Sequence, residues 1–410
     1  MRVSIDCLLA VVACAFGCGS AGEQGLFDGP AGDGGTTGAI GSVGQGGTTS
    51  TSSTGAGGLV LSGGSSSGSG GGSGGTGGAS TCLDALGCNC NSDAECEDGM
   101  RCDPRIGCAN VCAGDVEVGT REDLDAFAAR DCHVLEGSLT LGALEERIDV
   151  ESLSGLEALR VVVGDLTLQS LERPRDLRGL SGLLYVDGVL AITDSPGLRT
   201  FAGLEALRHV VGGLVIAGND GLEATEPLSE VALGGSLVVS ENPALAGVTG
   251  VAPGPELESI ILVDNQSLEL VEGLDRIESV TSVLTLGDNP NAIALAFTKL
   301  ERAGSITVTS NASLENAALP ALVEIEGDLT IASNASLPAL TLRSLENVGG
   351  SMIVSSNDSL VSLGELARLQ SVGMLTIGGN PSLSQCEVDD LAERLGACSA
   401  GSCTGNGGCD

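Results

Sequence analysis

The sequence predicts a mainly β fold: a right-handed β-solenoid of about eleven coils, preceded by a disordered tether and a small disulfide-rich module. Three observations lead there. Eight asparagines, Asn219, Asn242, Asn265, Asn289, Asn311, Asn334, Asn357 and Asn380, recur 22 to 24 residues apart. Each stands three residues after the second apolar position of a short strand, from Leu214-x-Ile216 to Leu375-x-Ile377. Aromatic residues are nearly absent, with no Trp, one Tyr and five Phe, so the core must be built from Leu, Val, Ile and Ala. Such a core suits thin coils, each burying its apolar edge only against its neighbours.

Taken in chain order, residues 1–18 read as a secretion signal. The apolar run from Cys7 to Phe16 is too short to span a bilayer and fits a secretory h-region. Ala15-Phe16-Gly17-Cys18 resembles a bacterial lipobox, which implies a lipid anchor on Cys18; Cys14 is a second candidate, and a plain secretion signal is the alternative. Residues 19–81 are almost entirely Gly, Ser, Thr and Ala and cannot bury enough apolar area to order themselves. As a flexible coil of about sixty residues, this tether spans roughly 40–45 Å.

Twelve of the fifteen Cys follow the signal region, an even set that suits an oxidising compartment and full pairing. Six of them crowd into 82–111, a segment without an apolar core that disulfides must hold together. Zinc is the alternative, but Cys88-x-Cys90 lacks a second zinc-type pair. The run from Asn91 to Cys102 resembles small disulfide modules of the dickkopf or colipase type; six Cys leave fifteen connectivities open.

The solenoid is assigned to 112–398, with a Cys-containing cap at 399–410. It opens on a capping helix at Thr120-Arg-Glu-Asp-Leu124-Asp-Ala-Phe127. Earlier coils lie at Leu139-x-Leu141, Leu166-x-Leu168 and Leu190-x-Ile192, where Leu144, Leu171 and Ser195 replace Asn and a looser corner is expected. A Gly usually precedes the strand by two residues, as at Gly164, Gly188 and Gly212, where a Cβ is expected to hinder the turn. Gly155-Leu-Glu-Ala-Leu-Arg160 recurs identically at 203–208, two coils later.

The opening Cys132-His-Val-Leu-Glu-Gly137-Ser-Leu139-Thr-Leu141 and the coil pattern together resemble the receptor L domain of insulin-receptor and growth-factor-receptor ectodomains. The leucine-rich repeat is the competing likeness, but it follows its Asn with a helix, whereas the return limb here is short and extended. The L-domain resemblance implies a Cys112–Cys132 bond. Cys386, Cys398, Cys403 and Cys409 are expected to close the last coil, in a pairing left open.

A net charge of −36 disfavours nucleic acid as a partner. Neither a nucleophile–base arrangement nor a His-rich or EF-hand metal pattern accompanies the two His, so no enzyme, cofactor or metal is expected. Four ladder positions, Asn265, Asn311, Asn334 and Asn357, also read as glycosylation sequons, but the coil phase turns them inward. The residue between each pair of buried strand apolars should face out. These form an uncharged stripe, Thr167, Val215, Val238, Ile261, Thr285, Thr307, Thr330, Ile353 and Thr376, continued by Thr140 and Ala191, and offer a docking face. Receptor relatives bind through large side chains on this sheet, and none is present here. The expectation is therefore a non-catalytic binding scaffold for a protein or envelope polymer, held at the cell envelope and touching membrane only through its lipid. A purely structural envelope protein is the alternative, and an envelope hydrolase a remote one.

Overall fold

The computed structural model describes residues 90–410, apart from 98, 143–149, 227, 229–230, 399–400 and 410. Cys18, the 19–81 tether, Cys82, Cys88 and Leu144 lie outside the described residues. Residues Ser80–Asp410 form one compact unit.

The repeat builds a parallel β-solenoid of about eleven turns. Its main sheet takes one strand from each coil in sequence order, from Leu139–Leu141 to Ser371–Gly378, with Val116–Val118 added at the N-terminal edge. The register is that of the repeat: Leu190 pairs with both Leu166 and Leu214, and Met352 with both Leu329 and Leu375. Like therefore stacks on like, which lets every coil close its apolar interior against the next. The first residues of each coil form a second parallel sheet of seven strands, Val111–Ala113 to Val251–Pro253. From Ser279 onward the two limbs often fuse into one long strand, as in Ser279–Gly287 and Asn347–Ser355, with a bulge at the former corner.

One continuous core of Leu, Val and Ile runs from Cys112 to Cys403, with Phe201 and Phe297 fully buried within it. Gly155–Arg160 and Gly203–Arg208 adopt the same turn twice. The glycine takes a positive φ of 108° or 111°, its N–H donates to Glu157 or Glu205, and the closing arginine donates back to that Glu's carbonyl.

The pre-strand glycines stack too; Gly235 takes the expected turn conformation, with φ 56°, but at Gly188 and Gly212 the reason is different. Gly212 has no positive φ, yet a Cβ there would lie 2.6 Å from the Gly188 carbonyl carbon. The Gly188 site faces Gly164 in the same way, at 2.7 Å. Backbone meets backbone between coils, with Gly212 N–H donating to Gly188 O at 3.0 Å, and only glycine fits.

Two short helices close the stack. Helix α1 (Arg121–Ala128) starts at a capping box between Thr120 and Asp123, and buries Leu124 and Phe127. Helix α2 (Gln385–Leu395) was not expected within the final coil. Ser384 precedes it, Val388 and Leu391 are buried, and Gly396 ends it in the left-handed conformation. Arg394 donates to the Leu366 and Leu369 carbonyls and ties the helix down.

Ten described cysteines form five disulfides: Cys90–Cys102, Cys96–Cys108, Cys112–Cys132, Cys386–Cys409 and Cys398–Cys403. The Cys90–Cys108 knot packs on the second sheet. Ala109 is buried with Val134 and Val161, and Arg105 lies over the Tyr185 ring at 5.2 Å. No helix among the described residues is long and apolar enough to cross a membrane.

Candidate functional site

Two candidate features come from the coil geometry, the asparagine column and the outward strand face. The eight asparagines are fully buried at one corner of the stack. Asn289 shows the arrangement. Its Nδ2 donates to Leu262 O at 2.8 Å in the preceding coil and to Gly287 O at 2.7 Å in its own. Its Oδ1 accepts both the backbone N–H and the Nδ2 of Asn265, at 3.0 and 3.2 Å. Each amide thus satisfies peptide groups that the corner leaves without a strand partner. The residue just before the asparagine takes left-handed φ, from Asp288 at 53° to Ser310 at 59°, with Gly218 and Gly379 at two corners. The amides of Asn265, Asn311, Asn334 and Asn357 are enclosed and engaged, which leaves no nitrogen presented for a glycan. Neutral and fully bonded, the column holds the coils in register and has no group free for chemistry.

The column reaches further than the period suggests. Ser195 is fully buried, accepts Leu171 N–H and donates to Thr193 O, while its own N–H bonds Asn219 Oδ1. The expected loose corner is instead a shorter rung. At the other end Asn406, 26 residues past Asn380, accepts from Asn380 N–H and Nδ2 and donates to Ile377 O. Helix α2 lengthens that last interval and hides the rung from a periodic reading. The Gly405-Asn406 dipeptide, matching Gly218-Asn219 and Gly379-Asn380, was the available signal.

The strand face divides into two parts. Val215 is 7 % exposed and Val238 0 %, and their strand neighbours Thr193, Ala217 and Ser240 are buried as well. The expectation of an open stripe fails there. Val238 is flanked in register by Val215 and Ile261, branched side chains that close each other off laterally. Thr167, Ile261, Thr285, Thr307, Thr330, Ile353 and Thr376 are partly exposed. The accessible face is therefore the run from Ile261 to Thr376, in register and without charge.

Titratable groups do not assemble a reactive centre among the described residues. His133 accepts the Asn110 N–H on Nδ1. His209 lies 5.7 Å from Tyr185, ring to ring, and burial followed by the nearby Arg208 charge holds its pKa below the ordinary value. Burial and Asp187, which accepts the Tyr185 hydroxyl, push the tyrosine up. The Asp194 carboxyl is raised by burial and by Asp220. The sulfurs of Cys90, Cys96 and Cys108 lie within 4.8 Å of one another, but all three are in disulfides and offer no thiolate to a metal. Comparison of the chain with protein-family models, curated proteins and solved structures finds no match.

Proposed function

We propose that the solenoid is a non-catalytic binding scaffold of the cell envelope, carried by a lipid anchor at Cys18 and a Gly/Ser/Thr-rich linking segment, with its uncharged strand face as the docking surface. In this reading the coils play the part that receptor L domains play in larger ectodomains. The observation that supports it is the Ile261–Thr376 face: six neighbouring coils, in register, place only Thr and Ile at the central outward position of their strands, on a chain with 54 acidic residues. Such a flat, uncharged strip favours contact with another flat surface, an extended polymer or a protein face. Five disulfides suit an oxidising, extracytoplasmic location.

The test uses sedimentation of the purified chain with peptidoglycan and with envelope polysaccharide, and cross-linking to isolated envelope proteins. Charges placed by Thr285→Lys and Thr330→Lys should reduce capture at least tenfold; unchanged capture would show that the face is strand filler. Turnover of peptidoglycan or peptide esters would overturn the non-catalytic reading. Palmitate incorporation lost on Cys18→Ala, and retained in Cys14→Ala, tests the anchor.

A further inference from the structure

The chain carries only 18 Lys and Arg against 54 Asp and Glu. Three of those cations, Arg173, Arg175 and Arg199, nonetheless line a single open cleft of about 590 Å³ on the edge of the early coils. The site stands apart from the docking face proposed above and does not depend on it.

The coil register brings the arginines together. Arg199 N–H donates to Arg175 O at 3.0 Å, so the two occupy equivalent places in adjacent coils. Like charges stacked on neighbouring coils repel at close range, so two arginines in one column are unfavourable without an anion between them. The column's next member, Glu223, lies 3.7 Å from Arg199, and Glu269 and Glu315 continue the same edge. Glu151 neutralises Arg173 at 2.9 Å. Arg175 is exposed and has no ion pair with any described residue. The floor is Pro196-Gly197. A Cβ at Gly197 would meet Glu172 O at 2.1 Å, so the close approach of the neighbouring coil holds that position to glycine, and only the Pro196 ring stands on the floor.

We infer that this cleft is an oxyanion site for a tetrahedral phosphate or sulfate group, held between Arg175 and Arg199. A guanidinium presents a planar fork of N–H donors that matches oxyanions. A planar carboxylate satisfies one such fork. A tetrahedral group has oxygens to spare for a second fork stacked one strand spacing away, which is about 4.8 Å. The cleft volume lies within the range of small-ligand sites, roughly 300–1,000 Å³. Phosphate bound there could be a free anion or a lipid headgroup.

The experiment is isothermal calorimetry of the full chain with inorganic phosphate and with sulfate in a chloride buffer, alongside Arg175→Ala, Arg199→Ala and, as control, Lys299→Ala. All three side chains are exposed, and a circular dichroism melt checks that each variant folds. Saturable one-site binding is expected, weakened at least tenfold by either arginine substitution and unchanged by Lys299→Ala. Absence of saturable binding, or equal loss in the Lys299 control, overturns the proposal. Flotation with phosphatidic acid vesicles, against phosphatidylcholine vesicles, then separates the sources. Binding to the first alone, reversed by free phosphate, assigns a lipid headgroup; phosphate binding without flotation assigns a soluble anion.

Discussion

At the scale of single residues, the asparagine corner concentrates several hydrogen bonds on one side chain. Asn311 donates to Leu286 O, Thr309 O and Asn334 Oδ1, and accepts from Asn289 N–H. Asn311→Ala would strand several buried peptide groups, each worth about 1–3 kcal/mol when left unpaired. Urea unfolding should show a loss of about 3–5 kcal/mol, well above an ordinary surface substitution. His209 supplies a pH dependence. Its pKa in the folded chain is below the ordinary 6.5, so the unfolded chain binds more protons in the interval between the two values. Stability should therefore rise with pH through that interval and level off above it. His209→Gln should flatten this part of the curve, measured by thermal melts across pH 5 to about pH 7.

At the scale of elements, what was legible in the sequence was what repeats. Each Leu-x-Ile strand, each Asn and each Gly carries weak information alone, but eleven strands and eight asparagines in phase define coil, register and corner. What was missed lies where the phase breaks. Helix α2 was readable from Ser384, Val388, Leu391 and Gly396, yet it sits inside a stretch already given to the last coil. The closure of Val215 and Val238 was illegible, because strand alternation tells which way a side chain faces and not what meets it. The arginine cleft escaped because Arg173, Arg175 and Arg199 meet only once coils 24 residues apart are stacked. The stacked glycines give a direct check. Gly212→Ala forces a Cβ against the neighbouring backbone and should cost about 1–3 kcal/mol, whereas Gly254→Ala, with nothing within 4 Å, should be near neutral.

At the scale of the whole molecule, a solenoid is stabilised by neighbour contacts, so its ends matter more than its middle. The C-terminal end combines helix α2, the Asn406 rung and the Cys386–Cys409 bridge. That bridge closes 23 residues, for which loop entropy predicts about 3 kcal/mol. Cys386→Ser with Cys409→Ser should lower stability by that amount. Hydrogen exchange should then accelerate first at Leu375 and Ile377, whose N–H groups bond the cap, and later toward the centre.

Identical amides stacked in register on parallel strands are the same device that holds amyloid filaments together, where it propagates without limit. Here every Asn from Asn219 to Asn380 passes its Nδ2 or N–H to the next rung, always in the same direction, until Asn406, which keeps the usual bond back to the preceding coil at Ile377 O but gives its Nδ2 to Gln385 Oε1 where a further rung would stand. The last rung is thus turned back into its own chain. A protein cut before Gln385 would present an unfinished rung at Asn380 to any other copy, and end-to-end polymerisation is the outcome to look for by light scattering.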